Sequence, residues 1–319
     1  MKEIGGYFGL EKLISNEYYK GLISVNSGRN ALLYILKAKK INKLYIPDFL
    51  CDSVSDMLKI YGYDFEYYTI DSYFKPIFNK NLREHEYLYI VNYYGQLTNE
   101  TIVKLKQQFK QIILDNTHAF FQESINDIDT VYSCRKFFGV ADGAYVSTDS
   151  KIKEDLKIDV SKERMIHILG RYEGTASEYY SYFQKSDEYF KNEKLKYMSN
   201  LTHNILGAID YEEVRKIRTE NYIYLKNKLD KYNKLELITL EGAFAYPFYI
   251  KNGIKIRKEL ANKKIYISTL WPNVLNDTSE CSIAYNYASN ILPLPCDQRY
   301  SIEDMEYIIN TLKQLLNLK

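Results

Sequence analysis

Short β-type runs alternate with helical stretches over residues 21–150, and this alternation constrains the fold most. Strand-type runs are predicted at 22–27, 43–49, 64–70, 87–94, 111–116, 130–134 and 143–148. Apolar residues at helical spacing lie between them, at 29–40, 51–61 and 99–110. Strands separated by helices favour a mostly parallel sheet that is covered on both faces. Ligands bind such sheets beside the loops that leave the carboxyl ends of the strands, so chemistry is expected at that edge.

Beyond residue 150 the pattern changes. Residues 151–198 are rich in charge and tyrosine and are predicted to form exposed helices, with the charged run at 151–164 as a solvated helical face. A smaller α+β lobe is predicted from helices at 208–232, 254–262 and 302–316 and from strands at 235–240, 246–250 and 265–271. We therefore predict an α/β fold with a large domain at 1–200 and a small C-terminal domain at 201–319.

Composition excludes several functions. The 43 basic and 41 acidic residues among 319 leave a net charge of +2, so no basic field draws the chain onto nucleic acid or an anionic membrane. The four cysteines form no C-x-x-C pair and only four histidines are present, which predicts neither a metal site nor a disulfide framework. The first residues lack a signal-peptide pattern, and no apolar run approaches about 20 residues, so we expect a cytoplasmic protein.

A Ser-Gly turn joins the first predicted strand to the first helix. Backbone amides at a helix N-terminus bind phosphate well, and Arg29 stands beside them, so Ser27, Gly28 and Arg29 are candidate phosphate ligands. An ordinary turn is the alternative interpretation. The dinucleotide fingerprint G-x-G-x-x-G is absent, which disfavours a nicotinamide enzyme.

Two charged residues follow predicted strand ends. Asp115 ends an apolar run, and a buried carboxylate is costly unless it meets a cation or hydrogen-bond donors. The alternative is a helix cap, with His118 as a satisfied core histidine. Lys136 lies between apolar runs, where partial burial would lower the pKa of its amine and favour attack on a carbonyl. Most lysines are surface residues, so that interpretation also stays open.

In their order and spacing these segments resemble the DegT/DnrJ/EryC1/StrS family of sugar aminotransferases, which have the type I fold of pyridoxal-phosphate enzymes. The segments that carry the resemblance are NSGRNALLYIL, IPDFLCDSV, NYYGQL, LDNTHAFFQ, YSCRKFFGVADGAYV and LPCDQRYSIEDMEYII. The resemblance implies pyridoxal 5′-phosphate (PLP) as cofactor. It also implies transfer of an amino group from a donor such as glutamate to a keto or aldehyde sugar or small polyol derivative, for surface polysaccharide or secondary metabolite biosynthesis.

The resemblance assigns roles to individual residues. Lys136 would bond to PLP and move the substrate proton, and Asp115 would pair with the pyridine nitrogen. His118 stands where the family usually has glutamine, near the 3-oxygen of the ring. Cys51 stands where the family has an aromatic residue that stacks on the ring. The candidates for the phosphate are Ser27, Gly28, Arg29 and Ser133.

The resemblance also implies a homodimer with shared active sites, in which an asparagine from the partner reaches the phosphate. Asn200 is the candidate, and a helix cap is the alternative interpretation.

Two other functions are compatible with this fold. Dehydratases of the same fold replace the lysine with histidine, so Lys136 favours amino transfer. A non-catalytic regulatory protein with this fold would have no need for both Lys136 and Asp115.

Overall fold

The computed structural model describes residues 4–318 and is built around an eight-stranded sheet. Its strands are β1 (Ile23–Val25), β2 (Lys43–Pro47), β3 (Asp64–Ile70), β4 (Pro76–Ile77), β5 (Glu86–Val91), β6 (Ile112–Asp115), β7 (Asp129–Ser133) and β8 (Ala144–Ser147). They lie in the order β1-β8-β7-β6-β5-β2-β3-β4. The five central strands β7, β6, β5, β2 and β3 run parallel, whereas β8 is antiparallel to both of its neighbours and β4 is antiparallel to β3. The predicted mixed, mostly parallel sheet is confirmed.

Three helices lie between these strands, close to their predicted positions. They are α1 (Gly28–Ala38), α2 (Asp52–Ile60) and α3 (Asn99–Phe109). Helix α1 begins after Ser27, whose hydroxyl accepts a hydrogen bond from the Asn30 amide. Its middle is almost wholly buried, including Leu32, Leu33 and Ile35, so it is a core helix with its N-terminus at the carboxyl edge of the sheet.

The charged run at 151–164 is not a helix, which corrects the prediction. The helices of this region come later, as α4 (Ile166–Glu173), α5 (Tyr180–Lys191) and α6 (Asn200–Leu206). Within the charged run, Asp159 and Arg164 form a buried ion pair at 2.6 Å, and the Arg164 guanidinium lies 4.4 Å from the centre of the Tyr189 ring. Asp159 and Arg164 therefore make tertiary contacts that a local charge pattern does not reveal, while the other charged residues of the run are exposed as predicted.

The remaining chain adds helices around a two-stranded antiparallel sheet. The elements are α7 (Tyr211–Leu229), β9 (Tyr246–Tyr249), α8 (Gly253–Asn262), α9 (Pro272–Asp277), α10 (Ile283–Asn290), β10 (Ile291–Leu294) and α11 (Ile302–Leu316). They enclose a second apolar cluster that includes Leu225, Phe248 and Leu292. The predicted smaller α+β lobe is present in this sense, while the boundary at residue 200 stays a prediction. No helix in residues 4–318 combines the length and apolarity needed to cross a membrane.

Two predicted strands, 235–240 and 265–271, do not form. In the first segment, backbone amides bond to side chains instead of to another strand. The Leu235 amide donates to Asn233 Oδ1 at 3.1 Å, and the Ile238 amide donates to Gln96 Oε1 at 2.9 Å. The partner of β9 is instead the unpredicted strand β10. Strand pairing in this lobe was decided by tertiary contacts that an apolar run does not encode.

Glu17 links the N-terminal segment to α6 and to β8. Its carboxylate lies 2.7 Å from His203 Nδ1 and accepts a hydrogen bond from the Tyr145 hydroxyl. The hydrogen bond to Glu17 raises the pKa of His203, and burial opposes this. Burial acts to raise the pKa of Glu17, but the hydrogen bonds from His203 and Tyr145 outweigh it and hold that pKa below its usual value.

Replacing His203 with glutamine should remove a pH-dependent part of the stability. Because the pKa of His203 is raised in the folded protein, protonated His203 stabilises the fold. This contribution is fully present below the pKa of histidine in the unfolded chain, about 6.5, and is lost as the pH rises through the folded-state pKa. We expect the free energy of unfolding lost in His203→Gln to be larger at pH 6 than at pH 9, by a few tenths to about 1 kcal/mol, as measured by urea denaturation. An equal loss at both pH values would contradict an ionic contribution.

Candidate active site

Several of the site residues predicted from the sequence lie near Lys136, at the carboxyl edge of the sheet. It ends a short 3-10 turn, Cys134–Lys136, directly after β7. Its ammonium acts electrostatically on Asp115 at the end of β6, on His118 three residues later and on Cys51 after β2. Residues from three separate strand ends therefore lie around one point, as the sequence predicted.

The Asp115 carboxylate is almost fully buried, at 5% exposure, and each of its oxygens has a donor. The Thr117 amide donates to Oδ1 at 2.8 Å, and the Tyr89 hydroxyl donates to Oδ2 at 2.6 Å. Burial raises the pKa of Asp115, while the bonds from Tyr89 and Thr117 and the charge of Lys136 act against that rise. The first helical turn after Asp115 is the 3-10 turn at Cys134–Lys136, which follows Ser133, so Asp115 caps no helix and the helix-cap interpretation is wrong.

His118 is held between aromatic rings without a polar partner. Its ring lies parallel to that of Phe244 with centroids 4.2 Å apart, and nearly parallel to Trp271 at 6.0 Å. Its buried Nδ1 has no hydrogen-bond partner among residues 4–318. Burial, together with repulsion from Lys136, lowers the pKa of His118 to about 3, so the imidazole is neutral at pH 7. The interpretation of His118 as a satisfied core histidine is therefore wrong.

The Lys136 side chain is exposed, which differs from the expected partial burial. The next residue, Phe137, is buried at 3% exposure and anchors the turn. Lys136 ends the turn at the edge of the sheet, so its backbone is fixed while its side chain stays accessible. Exposure makes the amine accessible to a ligand that enters at this edge.

The N-terminus of α1 forms the predicted seat for an anion. The amides of Gly28 and Arg29 precede the first helical hydrogen bond, from the Ala31 amide to the Ser27 carbonyl at 2.8 Å, so no turn of helix can satisfy them. A Cβ at Gly28 would lie 3.6 Å from Thr117 Cγ2 and 3.7 Å from Ser133 Cβ. Gly28 thus leaves a small concave space between α1 and the ends of β6 and β7, with Ser133 at its border.

Arg29, in the first turn of α1, and Cys51, directly before α2, lie close to each other. Burial lowers the pKa of the half-buried Arg29 guanidinium, and the Cys51 thiol is close enough to act electrostatically on it. Burial also raises the pKa of Cys51, and Lys136 opposes that rise. Cys51 therefore lies within reach of both Arg29 and Lys136, while Arg135 is engaged by Asp187 of α5 at 2.7 Å.

Asn200 lies apart from these residues. It is exposed in the first turn of α6 and lines a surface groove with Tyr34, Tyr197 and His203. No described contact joins Asn200 to Asp115 or Lys136. A residue that serves a partner subunit need not contact its own site, so its assignment stays a prediction.

These residues fit PLP. A buried carboxylate with two donors can pair with a pyridine nitrogen, and an exposed lysine within electrostatic reach of it can bond to an aldehyde. The unpartnered Nδ1 of His118 offers a hydrogen bond to a polar ligand, and the space at Gly28 offers amides to a phosphate. The cofactor assignment rests on these four features.

The sequence does not predict which residues surround the candidate site residues. Tyr89 looked like any aromatic in a buried strand, and Thr117 was hidden between Asp115 and His118. Phe244 and Trp271 come from segments more than 120 positions after His118 and reach its ring only in the fold. A polar hydroxyl in the middle of the apolar run 87–91 was the one available signal.

Arg218 was also missed, and it holds the lysine turn in place. This buried guanidinium on α7 donates to the Phe137 carbonyl at 3.1 Å, to the Ala243 carbonyl at 2.8 Å and to Gln298 Oε1 at 2.7 Å. Gln298 also donates to the Phe137 carbonyl, at 2.8 Å. Phe137, which follows Lys136, and Ala243, which precedes Phe244, are thereby both held by the Arg218 side chain.

The fold corresponds to a known one, the type I fold found in solved aminotransferase structures. Comparison with family models finds no match, and comparison with curated proteins finds none either. Solved structures do match. A DegT DnrJ EryC1 StrS aminotransferase from Brucella abortus is 14% identical, with a TM-score of 0.61 over 93% of this chain and 87% of that one.

Two further structures show the same likeness. DesV from S. venezuelae is 15% identical, with a TM-score of 0.62 over 92% of this chain and 84% of its own. The sugar aminotransferase CalS13 from Micromonospora echinospora is 11% identical, with a TM-score of 0.60 over 92% of this chain and 87% of its own. The predicted type I fold is confirmed, and the resemblance to this family of structures extends over nearly the whole chain.

Removing the Arg218 guanidinium should loosen the lysine turn. Arg218→Met leaves the buried Ala243 carbonyl with only the weak Cys296 thiol donor, at 3.8 Å, and leaves the Phe137 carbonyl with one donor fewer. We expect a loss of about 2–4 kcal/mol in the free energy of unfolding, measured by urea denaturation. Arg215→Met on the same helix is the matched control, because Arg215 is a half-exposed residue paired with Glu212. An equal loss in the free energy of unfolding in both variants would contradict a role for Arg218 in holding the lysine turn.

Proposed function

We propose that this protein is a PLP-dependent aminotransferase. It moves an amino group from an amino acid donor, such as glutamate, to a keto or aldehyde group of a sugar or small polyol derivative. The observation that carries the proposal is the convergence of Lys136, Asp115 and His118 at one sheet edge, in a fold shared with sugar aminotransferases. Lysine at position 136, rather than histidine, supports amino transfer over dehydration.

When bound, PLP supplies the electron sink that lets the Cα–H bond of an amino acid break. Lys136 Nζ would hold the cofactor covalently, and its free amine would accept the substrate Cα proton and deliver it again. Asp115 keeps a proton on the ring nitrogen through its buried carboxylate. The amides of Gly28 and Arg29, with Ser27 and Ser133, bind the phosphate.

His118 acts as a neutral hydrogen-bond partner. Since its pKa is about 3, it carries no positive charge at pH 7 that would repel a protonated ring nitrogen. Its plane is set by Phe244 at 4.2 Å, so the polar edge of the imidazole cannot rotate freely. Cys51 stands where the family has a stacking aromatic residue, and its smaller side chain would leave more room beside the cofactor.

Biological placement follows from the resemblance and from the neighbours, which include a PseC enzyme of Helicobacter pylori involved in the biosynthesis of pseudoaminic acid. We propose a cytoplasmic role in making an amino sugar or related amine for a surface polysaccharide or secondary metabolite. Activity assays with nucleotide-linked and free keto sugars, with glutamate as donor, would identify the acceptor.

The visible spectrum tests the central assignment. Wild-type protein incubated with PLP should show the absorption band of protein-bound cofactor, and added glutamate should bleach it. Lys136→Ala should lose the covalent band, because no other described lysine acts electrostatically on both Asp115 and His118. Lys151→Ala, which changes a surface lysine on the groove beside Asn200, is the matched control. A wild-type protein that binds no PLP would overturn the proposed function.

The proposed homodimer predicts a role for Asn200 in the partner's site. Sedimentation should give a dimer, and Asn200→Ala should weaken PLP binding about tenfold through the loss of one hydrogen bond to a charged phosphate. Asn204→Ala on the same helix is the control, because Asn204 bonds to Glu11 and Leu13 of its own chain. A PLP-binding monomer, or equal affinities in the two variants, would contradict the assignment.

A further inference from the structure

Tyr89 is a buried titratable residue that the proposed reaction does not yet use. It lies in the middle of β5 and is 2% exposed. Its hydroxyl donates to Asp115 Oδ2 at 2.6 Å, a short hydrogen bond between two buried groups. β5 begins with Glu86 and Tyr87, but Tyr89 is the residue of this strand whose side chain bonds to Asp115.

The sheet register brings the two residues together. Strands β5 and β6 are parallel, with Val91 opposite Asp115 and Tyr89 opposite Ile113. The long phenol of Tyr89 therefore reaches diagonally along the sheet to the carboxylate. Since Oδ1 already accepts from the Thr117 amide, Tyr89 supplies the second of two protein donors. The remaining lone pairs of the carboxylate stay open to a ligand.

Three titratable groups act on this carboxylate. Tyr89 and Tyr93 face it from β5 and the turn that follows, and Lys136 faces it from the turn after β7. His118, in the same loop as Asp115, is neutral. Burial beside Asp115 holds the pKa of Tyr89 well above its usual value, so the phenol stays protonated and acts only as a donor.

We propose that Tyr89 is a positioning residue that holds the Asp115 carboxylate ionised and oriented toward the cofactor ring nitrogen. This rests on the proposed function. A donor to the carboxylate stabilises its charged form and lowers its affinity for a proton. The shared proton then stays on the ring nitrogen, where PLP chemistry needs it, rather than moving to Asp115. Without the phenol, burial would favour the uncharged carboxylic acid.

Tyr89→Phe tests this with the loss of one oxygen atom. Tyr68→Phe is a matched control, because Tyr68 is also buried in this sheet and its hydroxyl donates at 2.7 Å to the Tyr89 backbone carbonyl rather than to Asp115. In protein freed of PLP and labelled with ¹³C at aspartate carboxyls, the Asp115 signal is identified by its loss in Asp115→Asn. We expect its titration midpoint to rise by about one to two pH units in Tyr89→Phe and to be unchanged in Tyr68→Phe.

The PLP-loaded protein gives a second readout. Less positive charge on the ring nitrogen should raise the pH midpoint of the visible band in Tyr89→Phe. It should also lower kcat for glutamate about tenfold or more, with KM within about threefold, because substrate contacts are unchanged. Tyr68→Phe should match the wild type in both.

The outcomes separate the two proposals. If wild-type protein binds no PLP while Tyr89→Phe shifts the Asp115 titration, the proposed function fails and the hold of Tyr89 on the carboxylate stands. If the Asp115 midpoint moves in neither variant, or equally in both, the role of Tyr89 is overturned. Tyr89→Met is the second variant. If neither Tyr89 variant folds while Tyr68→Phe does, the hydroxyl is a structural requirement, and the positioning role is overturned as well.

Discussion

The buried carboxylate of Asp115 is the constraint around which the rest of the site is arranged. A charge at 5% exposure at the end of a central strand persists only where donors and a cation meet it. The Thr117 amide, the Tyr89 hydroxyl and the Lys136 ammonium come from three different segments, so the parallel register of β5, β6 and β7 must hold for the carboxylate to be tolerated. The same register presents the carboxylate to a ligand at the sheet edge.

Around that centre, the smaller C-terminal part of the chain works as a support for the sheet edge. Arg218 binds the Phe137 carbonyl beside the lysine and the Ala243 carbonyl beside Phe244, whose ring in turn fixes His118. A guanidinium buried without a salt-bridged carboxylate is unusual, and burial lowers its pKa to about 10, which still leaves it charged at pH 7. Its cost is offset by carbonyl acceptors in both halves of the chain, so the lysine turn and the small lobe are held as one unit.

Much of the fold could be predicted because its signals are local. Seven of the eight strands of the main sheet, all but the two-residue β4, and helices α1 to α3 follow from the sequence pattern, and the ends of β6 and β7 place Asp115 and Lys136 at one edge. The segments 235–240 and 265–271 were predicted wrongly because their backbone groups bond to side chains or join no sheet. The charged run at 151–164 was misread because Arg164 finds Asp159 and the Tyr189 ring only after folding.

The sequence by itself determined the order of strand ends, the residues Ser27, Gly28, Asp115, His118, Ser133 and Lys136 that stand at them, and the resemblance to the aminotransferase family. These are short-range features, in which a strand, a turn and a polar residue follow one another within a few positions. Only the tertiary structure decided that the Tyr89 hydroxyl donates to the Asp115 carboxylate, that Phe244 and Trp271 pack against His118, and that Arg218 holds the lysine turn. Each of those contacts joins residues that are distant in sequence, and their geometry depends on strand register and lobe packing, which no local pattern specifies.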